Sequence, residues 1–196
     1  MIKTIIFDFG GVISIGKFFP VVSGALGEKF GLDEKTIREK MYANETEYMS
    51  GRESTFTFWE KTCKEFGIPY KDFVHIFSSS YRLNTEMLTL VRRLKEKYQV
   101  ILHSDNFEAL SKALRNDPQL DGIFEKLYFS NEIKLLKKEE QSFRHILKDI
   151  QKTPAECVFI DDKETSLIIP QKIGINTILF KNVEQTKKEL LRLGVQ

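Results

Sequence analysis

The 196-residue sequence predicts an α/β fold: a doubly wound parallel sheet with an all-α insertion after its first strand. Three observations predict it. Five short apolar runs recur along the chain, and several are continuous rather than alternating, the pattern of strands buried on both faces. After position 84, segments of helical period separate those runs. Between the first run and that point lies a long aromatic-rich stretch that is mostly helical in period.

The first strand is expected over residues 4–9, where Ile5-Ile6-Phe7 has no polar interruption. Residues 16–83 break the alternation. Helices are expected there over 22–30, over 33–41 with Asp33 as N-cap, over 55–66 and over 71–81. This stretch is expected to be a separate small helical domain, with 1–15 and 84–196 forming the α/β core. In the core, residues 86–98 carry Leu88, Val91 and Leu94 on one face and Arg92, Arg93 and Lys95 on the other. A second strand follows over 99–103, a helix over 107–116 and a short strand over 126–129. Residues 139–150 bear Phe143, Ile146 and Leu147 at helical spacing before a fourth strand over 157–160. Pro170 is expected to shorten or kink the next helix, 165–173. A fifth strand over 176–180 and a helix over 184–193 end the chain. Strand–helix alternation of this kind describes a Rossmann-like core.

Composition excludes several classes. Hydrophobic residues at 41% and charged residues at 30% suit a globular protein and rule out bulk disorder. A net charge of +2 leaves no electrostatic footprint for nucleic acid or an anionic membrane surface. No apolar run is long enough to span a bilayer. Met1-Ile2-Lys3-Thr4 leads straight into a strand without the apolar stretch of a signal peptide. Cys63 and Cys157 form neither a disulfide framework nor a CxxC pair. A cytoplasmic location is therefore expected.

Chemistry gathers at the expected strand ends, where ligands bind in parallel sheets. The first strand runs into Asp8-Phe9-Gly10-Gly11, a carboxylate beside glycines that let backbone N–H groups approach an anion. The fourth ends in Asp161-Asp162. Adjacent carboxylates after a buried strand need a positive partner. A hard cation such as Mg²⁺ is the natural one, since it binds one or two carboxylates together with waters and substrate phosphate. The second strand ends in His103-Ser104-Asp105-Asn106, where a hydroxyl and helix N-terminal N–H groups suit phosphate. After the third strand, Lys134, Lys137 and Lys138 lie near the same rim. His103-Ser104-Asp105 is not a hydrolase triad, because consecutive strand residues face opposite sides. His75 and His145 fall on expected helices, as packing or surface residues.

Asp at strand 1, Ser at strand 2, Lys after strand 3 and Asp-Asp at strand 4 resemble the haloacid dehalogenase (HAD) superfamily. So do the ending Cys157-Val158-Phe159-Ile160-Asp161-Asp162, the run from Ile173-Gly174 to Phe180, and Tyr48-Met49-Ser50-Gly51 with Phe58-Trp59. The resemblance covers nearly the whole chain and makes residues 16–83 a helical cap. It implies a Mg²⁺-dependent phosphatase acting on a small phosphorylated metabolite, a sugar phosphate among the candidates. Asp8 would be the nucleophile, forming an aspartyl-phosphate. Asp8, the Gly10 carbonyl and Asp162, with Asp161 beside it, would bind the metal. Ser104 and Lys137 would handle the transferring group, and Gly11, Asp105, Asn106 and Arg52 would bind substrate. Gly16 and Lys17 would form a hinge, and Phe18 and Phe19 would face the substrate. A monomer or homodimer is expected.

The pattern departs in one place that matters. Most phosphatases of this family carry a second aspartate two residues after the nucleophile, and this chain has Gly10. Acid–base help of that kind is worth ~10²–10⁴-fold. Three explanations stand: substrates with good leaving groups, a substitute such as Asp105, or a weak or silent relative that binds a phosphorylated ligand or a protein. Lys134 and Lys138 also replace a common glycine and proline.

Overall fold

The structure, a computed structural model, describes residues 1–16, 18–43, 45–52 and 54–196, and the side chains of all of these except 47, 55, 58 and 61. Lys17 and the side chain of Phe58 thus lie outside the described residues. Five strands form one sheet: β1 (Thr4–Phe7), β2 (Gln99–Ser104), β3 (Lys126–Phe129), β4 (Cys157–Asp161) and β5 (Asn176–Leu179). Their order is β3-β2-β1-β4-β5, and every neighbouring pair is parallel. The first strand, at the centre, is hydrogen-bonded to the second on one side and the fourth on the other.

The unbroken apolar runs are explained by two cores. Ile5, Phe7, Val100, Leu102, Val158 and Ile160 point to one face of the sheet. Ile6, Ile101, Cys157 and Phe159 point to the opposite face. Both faces of the central strands are buried, so period 2 there needs no alternation of apolar and polar residues. The same alternation puts His103 in the second core, against the rings of Phe143 and Phe159, while Ser104 reaches the strand end.

The insertion contributes α1 (Phe18–Phe30), α2 (Glu34–Ala43), α3 (Glu45–Met49), α4 (Thr55–Phe66) and α5 (Tyr70–Ser79). The first begins four residues earlier than its period suggests, because Phe18 and Phe19 pack on Phe107 of the sheet domain. Asp33 caps the second as expected, accepting from the Thr36 N–H at 2.8 Å. Where the insertion leaves and rejoins the sheet domain, its two ends run side by side. Ser14 bridges Leu83, the Ile15 N–H donates to Arg82 O at 2.8 Å, and the Asn84 N–H donates to Ile13 O at 2.8 Å.

The sheet is flanked by α6 (Thr85–Leu94), α7 (Glu108–Arg115), α9 (Glu140–Asp149), α10 (Glu164–Lys172) and α11 (Val183–Arg192), with the short α8 (Ser130–Ile133) after β3. The tenth helix runs its nine residues in spite of Pro170. The proline lies near the C-terminal end of that helix, and the bond it cannot donate is the one to the carbonyl four residues back. Among the described residues no helix is long and apolar enough to cross a membrane.

Phe77 is fully buried and meets Phe18, Trp59, Phe73 and Phe107, so it ties the insertion to the sheet domain. Phe77→Ala is expected to cost about 3–5 kcal/mol in urea unfolding. A cost below about 1 kcal/mol would show that this cluster is not a shared core. For His103, burial and then the Lys137 charge push the imidazole pKa down to about 3, from 6.5. The unfolded chain therefore binds a proton between those values that the native chain refuses. Stability is retained above pH 6.5 and falls as pH drops toward 3, with a slope of up to about 1.4 kcal/mol per pH unit from this group. His103→Gln should lose that component, and parallel pH curves for the two proteins would refute a neutral buried His103.

Candidate active site

The parallel register brings the chemistry together. Phe7 pairs with Leu102 and with Ile160, so the residues that follow them share one rim. Asp8 stays tied there through its N–H to Ile160 O at 2.9 Å. It then leaves the sheet earlier than the expected end at Phe9, because the chain turns through Gly10 and through Gly11 at φ +76°. A Cβ on Gly11 would fall 2.4 Å from Asp162 Oδ2, so glycine is needed there for both conformation and space.

At this rim Asp8, Asp161 and Asp162 present carboxylate oxygens that all lie within 4.8 Å of one another. The Lys137 ammonium faces them. Lys137 Nζ, itself buried, lies 2.9 Å from Asp8 Oδ1 and 2.6 Å from Asp161 Oδ2. Burial alone would lower its pKa, but Asp8, Asp161 and Asp105 outweigh that and hold the lysine charged. Burial pushes the Asp8 carboxyl up to about 7, with Lys137 pulling downward and Asp161 adding repulsion. Asp162 is raised too, by burial and then by Asp161.

The three carboxylates differ in what they have left to give. Asp161 accepts from Lys137 with one oxygen and from the Lys163 N–H at 2.8 Å with the other. Asp162 Oδ1 is buried with no partner among the described residues. An orphaned buried carboxylate oxygen beside Asp8, in an all-oxygen donor set with excess negative charge, fits a hard divalent cation.

Ser104 and Asn106 border the same rim. The Asn106 side-chain oxygen accepts the Phe107 N–H at 2.9 Å, which leaves its buried Nδ2 unpartnered. Asp105 accepts the Lys137 backbone N–H at 2.9 Å and so fixes the base of the lysine. His103 faces away, with Nε2 2.9 Å from Ser142 Oγ, as strand alternation requires. His75 is exposed on its helix, and His145 packs edge-on against Tyr128.

A cleft of about 480 Å³ opens over these groups. Its floor holds Asp8, Gly10, Gly11, Ser104, Asp105, Asn106, Lys137 and Asp162. The opposite wall comes from Phe18, Phe19, Tyr42, Glu45 and Met49 of the insertion, with Phe107 and Leu110 beside them. Gly16 lines it as well, at φ +81°. Tyr42, Glu45 and Ser166 carry no sequence signal of a site, because helical period does not say which turn faces a distant strand end.

Arg52 is exposed and is not among the residues that line the cleft. Gly51, at φ +64°, packs against the Asn131 carbonyl, and Lys134 Nζ donates to Gly51 O at 2.8 Å. Ser130 Oγ donates to Met49 O at 2.5 Å. These bonds hold residues 49–51 against the sheet domain. Lys134 itself is at φ +61°, which accounts for glycine being common at that position. Lys138 is exposed.

The haloacid dehalogenase-like hydrolase profile matches residues 2–168. A HAD-family enzyme of Bacteroides thetaiotaomicron, solved with magnesium and inorganic phosphate, superposes with a TM-score of 0.77 at 26% identity, over 92% of this chain and 95% of that one. D-Ribitol-5-phosphate phosphatase of the same species is 26% identical over 208 residues, covering 97% of each chain. The match to drimenol cyclase drtB of Aspergillus calidoustus is 23% identical and covers 83% of this chain but only 32% of that protein's length. With its parallel sheet and the carboxylates at the ends of β1 and β4, the chain belongs to the haloacid dehalogenase-like hydrolases.

Proposed function

We propose that the protein is a Mg²⁺-dependent phosphatase that hydrolyses a phosphomonoester of a small metabolite through an aspartyl-phosphate on Asp8. The observation that carries this reading is the placement of Asp8. It lies at the carboxyl end of the central strand, held by Lys137, beside the orphaned Asp162 oxygen and open to the cleft. The phosphatase and the magnesium–phosphate complex among the relatives support the same reading. Sugar phosphates are the first substrates to try, since one relative is named for a phosphorylated sugar alcohol.

Asp8, Asp162 and the Gly10 carbonyl would hold the ion. When bound, Mg²⁺ neutralises charge on the phosphoryl oxygens and offsets the excess of carboxylates. One Asp8 oxygen attacks phosphorus, which splits one hard transfer into two easier ones. Lys137 screens the repulsion between Asp8 and the incoming dianion, and Asp161 and Asp105 position it from its two ends. The Ser104 hydroxyl, the free Asn106 Nδ2–H and the N–H groups around Gly11 donate to phosphoryl oxygens. Residues 16–83 act as the cap: paired connectors join them to the sheet domain, and their apolar wall closes the site to water. Two buried free thiols, Cys63 and Cys157, suit a reducing cytoplasm.

Phosphate release from a panel of phosphorylated metabolites should require Mg²⁺, stop with EDTA and fall by at least about 10³-fold in Asp8→Asn. Metal-independent release, or release that survives Asp8→Asn, would sink the proposal. Lys137→Met should lower stability by about 3–5 kcal/mol at neutral pH, because it leaves Asp8 and Asp161 buried without their counter-charge. Urea unfolding without metal checks this, and an unchanged midpoint would mean that the ion pairs are not formed.

A further inference from the structure

The phosphatase reading leaves a chemical need unmet. An alkoxide leaving group must gain a proton, and the water that cleaves the aspartyl-phosphate must lose one. Gly10 offers no group for either task. Among the described residues, four carboxylates line the cleft: Asp8, Glu45, Asp105 and Asp162. Asp8 is the nucleophile and Asp162 belongs with the ion. Asp105 is engaged on the Lys137 backbone. Glu45 differs from all three. It opens α3 in the insertion, lines the same cleft as the strand-end residues and is half-buried. Among the described residues it makes no hydrogen bond or ion pair.

We propose that Glu45 is the catalytic acid and base of this phosphatase, supplied by the helical cap rather than by the nucleophile's own loop. The inference rests on the phosphatase reading. In the first step an Asp8 oxygen bonds to phosphorus and the phosphorus–oxygen bond to the leaving group breaks. The departing oxygen takes the Glu45 proton, giving the free alcohol, the aspartyl-phosphate and a Glu45 carboxylate. In the second step water attacks phosphorus and gives its proton to Glu45 as the bond to Asp8 breaks. Inorganic phosphate leaves with Asp8 ionised and Glu45 protonated again.

Burial favours the protonated form that the first step needs, with the Lys163 charge opposing and Asp105 reinforcing it. Lys138 is the other charged group near enough to act on it. Because Glu45 rides on the cap, acid–base help would depend on the cap being seated on the sheet domain. The bonds from Ser130 to Met49 and from Lys134 to Gly51 seat the far end of the same short helix. Only a closed site would then be competent, which protects the aspartyl-phosphate from loss with the cap open.

The test compares Glu45→Gln with the wild type on alkyl monophosphates and on p-nitrophenyl phosphate, whose leaving group needs no proton. Alkyl turnover should fall ~10²–10⁴-fold in kcat with little change in KM. With the aryl ester, the first p-nitrophenolate burst should keep its rate within about threefold, while steady-state turnover slows because the second step has lost its base. Glu45→Asp should recover part of the alkyl rate. Alkyl turnover within about threefold of wild type in Glu45→Gln would overturn the assignment. So would an equal loss in the aryl burst, which would mark Glu45 as structural, or the absence of alkyl turnover in the wild type. Failure of the phosphatase reading itself looks different: no Mg²⁺-dependent, Asp8-dependent release from the aryl ester at all.

Discussion

The site is organised around one buried ammonium between two buried carboxylates. Lys137 bridges Asp8 and Asp161, and these sit on neighbouring strands of one parallel sheet. Placing three carboxylates at a largely buried rim is costly without compensation. The lysine supplies part of it. Its position is over-determined: Asp105 holds its backbone, two carboxylates hold its head, and the Phe159 ring lies 5.8 Å from the ammonium. A group fixed in this way loses little by reorganising during a reaction, which is what phosphoryl transfer asks of a protein. The remaining negative charge gives the site its appetite for a divalent cation.

The cleft has two sides of different chemistry. The sheet domain provides charge, hydroxyl and amide donors at strand ends. The insertion provides mostly rings and one carboxylate. The aromatic residues have a double role: Phe18, Phe19 and Phe107 line the cleft and also join a cluster that reaches Phe77 and Trp59. The packing that seats the insertion on the core is therefore the same packing that walls the substrate space. The left-handed backbone of Lys134 fits this picture. A lysine there costs about 1–2 kcal/mol relative to a relaxed conformation, and its ammonium bonds to Gly51 across the junction.

Much of this was legible in the chain itself. Continuous apolar runs such as Ile5-Ile6-Phe7 and Val158-Phe159-Ile160 require burial on both sheet faces, and helices between them imply parallel order. Asp8, Ser104 and the Asp161-Asp162 pair fall at strand ends, so the topology alone sends them to one rim, whereas Lys137 lies beyond α8 and was singled out only by the family resemblance. Strand alternation also sufficed to separate His103 from Ser104. Glycines at 10 and 11 announced a tight approach, and the contact of Gly11 with Asp162 gives it a physical cause.

What the sequence determined by itself is thus the sheet, its order of burial and the residues delivered to its edge, because these depend on period and on position within a strand. Which carboxylate oxygen is left unpartnered, which side chains of the insertion line the cleft, and that Glu45 is among them while Arg52 is not were decided only in three dimensions. A helix turns 100° per residue, so its inward face is set by how it docks and not by its own pattern. That docking depends on the junction of Met49 and Gly51 with Ser130 and Lys134, contacts about eighty residues apart in the chain that no local signal encodes.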